Sequence, residues 1–96
     1  MLLKAGVDIS RFERNTRRSL NKVAFIFSEA RELFIITSTY EGNHGEGSLH
    51  YANQAYDVRL PDDSKLRILA KIKEKLGSDF DVVLERTHYH IEYDPK

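Results

Sequence analysis

The amino-acid sequence predicts one small α+β domain in which helices pack on one face of an antiparallel sheet. The chain has 96 residues, of which 41% are hydrophobic and 31% are charged, which suits one compact core and is too short for two. Predicted elements follow one another as helix, strand, strand, helix, strand, strand, an order typical of an α+β domain. We therefore expect a single domain over residues 1–96.

The first half of the chain predicts one helix and one strand. Apolar residues recur at i, i+3, i+4 and i+7 in Leu20, Val23, Ala24 and Phe27. This spacing indicates an amphipathic helix that begins near Asn15 or Thr16, either of which can cap it. Residues 33–36 are apolar and rich in Ile and Phe, and they lead into residues 37–39, which are Thr, Ser and Thr. That run is typical of a buried strand.

The second half begins with a segment, residues 41–48, that has no apolar residue and contains three glycines. It predicts a surface loop, and loops of this kind are usually functional or disordered. Residues 55–60 alternate with period two and stop at Pro61, as a strand does. A second helix follows and ends before Gly77. Its candidate caps are Asp62, Asp63 and Ser64, and its apolar stripe consists of Ile68, Leu69, Ile72 and Leu76. Residues 80–84 and 88–93 predict two strands or one bulged strand.

Charge and composition exclude several classes of function. Fifteen Lys and Arg balance fifteen Asp and Glu, so the chain lacks the general positive charge on which nucleic-acid and anionic-membrane binders rely. Without cysteine, disulfides, thiol catalysis and iron–sulfur clusters are excluded, and a metal site needs His and carboxylate ligands. The apolar runs fall short of the ~20 residues that span a bilayer, and no signal peptide is visible. We expect a cytoplasmic product that reaches any outside target by another export or lysis route.

The four histidines form the main functional signal, because they lie in two short windows. His44 and His50 belong to the long loop and its exit, whereas His88 and His90 belong to the last strand. Residues two apart in a strand share a face, so these last two imidazoles project together. Asp57 shares its side of the earlier strand with Arg59. If the two strands are neighbours, one carboxylate faces two imidazoles.

Two histidines and one aspartate, with a position left for water, are the ligand chemistry of a catalytic zinc site. Zinc lowers the pKa of its bound water to about 7, and a nearby carboxylate can then act as the general base. Glu85 is close in sequence to the histidine strand. Taken alone, however, a His-x-His pair is also typical of a solvated strand face.

The joint pattern of residues 48–57 and 85–90 resembles a known family. Residues 48–57 read Ser-Leu-His-Tyr-Ala-Asn-Gln-Ala-Tyr-Asp, and residues 85–90 read Glu-Arg-Thr-His-Tyr-His. They are similar to the S-x-H-x-x-G-x-A-x-D and E…H-x-H signatures of the zinc metallopeptidases that group D-alanyl-D-alanine peptidases, phage endolysin peptidases and the Hedgehog signalling domain. The chain looks most like the small bacterial and phage members of this peptidase M15-like group. The resemblance implies a Hedgehog/DD-peptidase-like fold.

The resemblance also implies residue roles. The implied zinc ligands are His50, Asp57 and His90. His88 then stands beside the metal with His44, and Glu85 is the base that activates water. Two positions are implied more weakly for substrate binding, Ser48 and Arg59.

Three departures from the family pattern leave alternatives open. Asn53 replaces the usual glycine, which Asn tolerates better than other residues where φ is positive. Side chains alternate between the two faces of a strand, so odd-numbered Glu85 faces away from the even-numbered histidines. It needs a bulge around residues 86–87 to reach them, and Glu92 is the alternative base. The dipeptidase-like spacing of Glu85 and His88 makes His88 the alternative zinc ligand.

The third departure concerns substrate binding. Thr39-Tyr40 stands where many carboxypeptidase-like members carry a substrate-binding arginine, a role that Arg59 or Arg86 could take.

The leading interpretation is therefore a zinc-dependent hydrolase that cleaves a peptide bond in bacterial cell-wall peptides, as a D-Ala-D-Ala carboxypeptidase or a phage or prophage endolysin does. We expect peptidoglycan peptides or other small peptides as substrates, no nucleic-acid partner, no membrane insertion and a monomeric state. A first alternative is a catalytically silent zinc-containing binding or signalling domain of the same fold. A second is a plain interaction module with an accidental histidine cluster.

Overall fold

The computed structural model of the protein describes residues 1–40 and 54–95. They form a five-stranded sheet with two helices. The strands are β1 (Leu2–Leu3), β2 (Ile35–Tyr40), β3 (Ala55–Arg59), β4 (Phe80–Leu84) and β5 (His88–Tyr93), and the helices are α1 (Arg14–Glu29) and α2 (Lys65–Leu76). The strand order in the sheet is β1-β2-β3-β5-β4. The predicted α+β class is confirmed.

The sheet is mixed, so the prediction of a purely antiparallel sheet is wrong. β1 pairs with β2 in parallel, whereas the other neighbouring strands pair antiparallel. β1 contains two residues, too few for an alternating pattern to reveal it from the sequence. The predicted run at residues 33–36 also begins too early, because β2 starts at Ile35 and Leu33 is 63% exposed. β2 instead continues through the polar residues 37–39.

The last two segments form a hairpin of two separate strands, β4 and β5. Their register pairs Asp81 with Glu92 and Val83 with His90. Beyond β4, the Glu85 N–H donates to the His88 carbonyl at 2.9 Å, so the chain reverses through residues 86–87. Of the two possibilities that the sequence left open, the structure therefore has two strands.

One hydrophobic core lies between the sheet and the helices. Its fully buried members come from both layers and include Val23, Phe27, Ile36, Tyr56, Val58, Ile68, Ile72, Tyr89, Ile91. The apolar stripes predicted for both helices contribute buried side chains to this core, because residues three and four apart lie on one helix face. The Tyr56 hydroxyl lies 2.7 Å from Ser19 Oγ, which satisfies two buried polar groups between β3 and α1.

The cap of α1 differs from the prediction of Asn15 or Thr16. The N-cap is Glu13, whose carboxylate accepts hydrogen bonds from the backbone N–H groups of Asn15 at 2.8 Å and Thr16 at 3.2 Å. A longer side chain thus does what Ser, Thr, Asp or Asn usually does at a helix start. α2 begins after Ser64, one of the three predicted caps, which adopts φ 62° and makes no side-chain cap bond. Neither helix of the described part is long and apolar enough to cross a membrane.

Replacing Glu13 with Ala tests this cap. The change leaves two N–H groups of the first turn without their acceptor, so we expect the free energy of unfolding to fall by about 1 kcal/mol. Urea denaturation followed by circular dichroism measures it. The matched control is Glu29→Ala, which removes a carboxylate from the other end of α1 and should leave stability unchanged or slightly raised. Equal losses in both variants would contradict the assignment.

Candidate functional site

The pairing of β3 with β5 creates a polar face on the side of the sheet away from the core. The register places Asp57 opposite His90 and Arg59 opposite His88. Side chains directly opposite in an antiparallel pair share a face, so these four groups lie together. The predicted meeting of one carboxylate with two imidazoles is therefore present. We call Asp57, His88, His90 and Glu92 the histidine cluster.

The histidine cluster is a chain of contacts. The first joins His88 Nε2 to Asp57 Oδ2 at 3.5 Å, and the second joins Asp57 Oδ1 to His90 Nδ1 at 2.9 Å. The third joins His90 Nε2 to Glu92 Oε1 at 3.1 Å. Asp57 is the most enclosed member, with 8% of its side chain exposed, against 29% for His88. Both nitrogens of the His90 ring thus face a carboxylate.

This arrangement raises the pKa of His90 above its ordinary value of 6.5. The largest cause is the hydrogen bond to Asp57, and the hydrogen bond to Glu92 acts in the same direction. Burial opposes both, because removal from water disfavours the charged ring. The effect of the two carboxylates outweighs that of burial, so the pKa of His90 moves upward.

A bulge in β2 lies beside the histidine cluster. The register shifts between Ile36, which pairs with Val58, and Ser38, which pairs with Asp57. The Thr37 hydroxyl lies 3.5 Å from the Asp57 carbonyl that it faces. Bulges bend a strand and redirect its side chains, and they recur next to functional sites. Nothing in the alternation of residues 33–39 indicated this one.

Glu85, the predicted base, lies at the turn of the β4–β5 hairpin and is exposed. Its N–H bond to the His88 carbonyl continues the hairpin register, which puts it opposite His88 and on the same face of the sheet. The prediction that Glu85 faces away from the histidines is therefore wrong. Odd and even positions mark opposite faces only within one strand, and the chain reverses between Glu85 and His88. No bulge is needed to bring Glu85 to this face.

Glu92 belongs to the histidine cluster, whereas the sequence alone indicates it only as an alternative base. It follows His90 by two residues and therefore shares its face of β5. The same period-two rule that paired the two histidines could have found it. Its contact with His90 Nε2 gives it a means to orient the ring.

The remaining predicted site residues fall into two groups. His44, Ser48 and His50 lie outside the residues that the structure describes. Arg59 is exposed at the end of β3, opposite His88. Within residues 1–40 and 54–95, no group of three or more His, Asp or Glu side chains is placed to hold a metal ion.

An open groove adjoins the histidine cluster along β4. Its volume is about 810 Å³, and residues from the end of α2, from β4 and from β5 line it. His90 and Glu92 are among the lining residues, so the groove and the histidine cluster are continuous. We call this feature the β4 groove.

Comparison of the chain with protein-family models, with curated proteins and with solved structures gives no match.

The raised pKa of His90 predicts how the stability of the metal-free protein depends on pH. Since the folded protein holds the proton more tightly than the unfolded chain, the stabilisation is complete below the ordinary pKa of 6.5 and is lost as pH rises through the higher folded value. Urea denaturation across this range should show that loss. Asp57→Asn should abolish most of this dependence of stability on pH and lower the His90 pKa in an NMR titration. Glu92→Gln, the matched change of a carboxylate, should have the same effects to a smaller extent. An unchanged His90 pKa in Asp57→Asn would refute the assigned cause.

Proposed function

We propose that the protein is a zinc-dependent peptidase that hydrolyses a peptide bond in bacterial cell-wall peptides. The single observation that carries the proposal is the contact of the Asp57 carboxylate with the imidazoles of His88 and His90 beside an open groove. These side chains come from separate strands and match the ligand types that a catalytic zinc site uses. The family resemblance of residues 48–57 and 85–90 supplies the substrate class.

The residues present fit part of a zinc site. In the proposal Asp57 and His90 are ligands, and their donor atoms already lie 2.9 Å apart on the polar face. His50 is the third ligand and lies outside the described residues. His90 would use Nδ1, the nitrogen that faces Asp57, while Nε2–H donates to Glu92. A carboxylate behind a ligating histidine fixes its tautomer and orientation, so Glu92 is a positioning residue.

Zinc, when bound, polarises a carbonyl and lowers the pKa of water to about 7. The other functions fall to the side chains around it. Glu85 takes a proton from water and gives it to the leaving amine, as a general base and then a general acid. His88, which lies between Arg59 and Asp57 on the polar face, donates a hydrogen bond to the developing oxyanion. In the proposal Arg59, at the end of β3, attracts a substrate carboxylate.

One observation favours a second candidate, a zinc-containing binding domain without catalytic activity. The Glu85 side chain is exposed at the hairpin turn and forms no hydrogen bond or ion pair with the histidine cluster. A base must come within hydrogen-bond reach of the water that it deprotonates, although such contacts often tighten only when substrate binds. Hydrolysis of peptidoglycan, read as released amines and muropeptide masses with and without chelator, distinguishes the two candidates.

The zinc proposal predicts one zinc per chain in protein purified without chelator. His90→Ala and Asp57→Ala should lose the metal, because each removes a ligand, whereas His88→Ala should keep it and lose turnover by roughly 10²- to 10³-fold. Elemental analysis by mass spectrometry measures the stoichiometry, and Asp62→Asn is the control for loss of a distant carboxylate. Zinc lost in His88→Ala and kept in His90→Ala would assign the ligand to His88 instead. Zinc absent from the wild type would refute the proposal.

The roles of the two glutamates predict different losses. Glu85→Gln should keep zinc and lose hydrolysis by roughly 10²-fold or more, since Gln has the same shape and cannot take the proton. Glu92→Gln should weaken zinc binding by about 10- to 100-fold, as loss of a partner behind a ligand does. Zinc titration and hydrolysis assays on both variants separate the effects. The reverse result, a zinc-loaded and inactive Glu92→Gln beside an active Glu85→Gln, would make Glu92 the base.

A further inference from the structure

β4 is the last strand of the described sheet on the side of the histidine cluster. It pairs with β5 on one side, and no described strand pairs with its other side. A strand in this position presents unpaired backbone donors and acceptors, which another extended chain can join. Natural proteins usually shield such an edge, so an edge that no described strand covers is informative beside a candidate site. We call it the open edge.

The hydrogen bonds at the two ends of the hairpin show which groups of β4 face outward. Asp94 N–H donates to the Asp79 carbonyl at 2.7 Å, and Glu85 N–H donates to the His88 carbonyl at 2.9 Å. In the same register, the odd-numbered residues of β4 bond to β5, and the even-numbered residues point their backbone groups away from it. The N–H and C=O groups of Val82 and Leu84 therefore face the open edge.

The β4 groove runs along this edge and provides room for a second chain. Phe80, Val82 and Val83 contribute its apolar lining, and Val83 is 45% exposed. His90 and Glu92 lie in the same lining, so a chain bound in the groove would run beside the histidine cluster. An edge strand with a shaped surface for alternate side chains is how proteins bind extended peptides by strand addition.

The charges of the groove favour a cationic occupant. Its charged lining residues, apart from His90, are Lys73, Glu74, Asp81, Glu92, Asp94. Among the described residues that line the groove, four carboxylates therefore accompany one lysine and His90, although the whole chain has a formal net charge of zero. Such a surface attracts a peptide that carries an amino group and repels an acidic one.

We propose that an extended peptide bearing a basic side chain binds along β4 as an added strand of the sheet. Its backbone pairs with the outward groups of Val82 and Leu84, and its basic side chain lies on the polar face near Asp81 and Glu92. That this peptide is also the substrate depends on the proposed peptidase function. The binding itself needs neither metal nor hydrolysis.

The test is an equilibrium binding measurement on the full chain treated with chelator, in which cleavage does not occur. The probe is a fluorescein-labelled Ala-Lys-Ala-Lys-Ala amide, followed by fluorescence anisotropy, and the matched probe carries Glu in place of Lys. We expect the Glu probe to bind at least about tenfold more weakly, as like charges do across an interface. Equal binding of both probes would overturn the charge assignment.

Backbone methylation of the probe tests strand addition. An N-methyl group removes one donor, so methylation at alternate positions should weaken binding by about tenfold, while methylation at the positions between should be tolerated. Only a peptide paired along one edge gives this alternation. A uniform effect of all single methylations, or none, would refute binding as a strand.

Two variants of the protein test the same contact from the other side. Leu84→Pro removes an outward N–H from an edge strand, where proline is tolerated, and should weaken binding of the lysine probe by about tenfold. Leu84→Ala is its control, because it changes the same side chain and keeps the outward backbone N–H. Asp81→Asn combined with Glu74→Gln should reduce the preference for Lys over Glu. Circular dichroism verifies the folds, and the methylated probes decide if Leu84→Pro fails to fold.

The outcomes also separate this proposal from the peptidase proposal. Binding with the expected alternation but no hydrolysis by the zinc-loaded protein would support the β4 groove and reject the peptidase. Hydrolysis of cell-wall peptides without the alternation would support the peptidase and reject strand addition.

Discussion

The hydrogen bond between the Asp57 carboxylate and the His90 imidazole constrains the sheet around it. A carboxylate as enclosed as that of Asp57 is costly unless hydrogen-bonded partners compensate for the lost water. The partners come from β5, a strand more than thirty residues away in the chain, and are available only in one register. A slip of one residue would turn Asp57 toward the core and Tyr56 toward solvent. The polar face and the core are therefore specified by the same pairing.

The helix layer holds that pairing rigid from the other side. Tyr56 and Tyr89, which alternate with the residues of the histidine cluster, are fully buried and reach polar partners in the helix layer. The Tyr56 hydroxyl meets Ser19 Oγ in α1, and the Tyr89 hydroxyl donates to the Lys65 carbonyl at 2.5 Å in α2. Burial, reinforced by the charge of Glu32, raises the pKa of Tyr89 to about 12. The Tyr89 hydroxyl thus remains a neutral donor, and each strand of the site has a hydrogen bond to a helix.

The site and the β4 groove share β5, and this connects the two proposals physically. The backbone of His90 bonds to β4, while its side chain contacts Asp57 on β3 and Glu92 on β5. A peptide added to the open edge of β4 would therefore extend the sheet that holds the histidine cluster, without rearranging it. Sites carried on strands hold their side chains more precisely than sites on loops, which suits the ligand role proposed for His90.

The sequence by itself determined the α+β class, both helices, the strand character of the segments that form β2, β3, β4 and β5, and the shared face of His88 and His90, because these depend on local periodicity in one segment at a time. It left open whether the last two segments form two strands or one bulged strand. It did not reveal β1, the β2 bulge or the Glu13 cap, since a two-residue strand, a register shift and a long capping side chain leave no periodic signal. The alternation of odd and even positions put Glu85 on the wrong face, because the chain reverses between Glu85 and His88. Only the tertiary structure decided that β3 lies beside β5 and that Glu92 joins His90. Neighbouring strands in a sheet are chosen by packing and hydrogen bonds between distant segments, which no single segment contains.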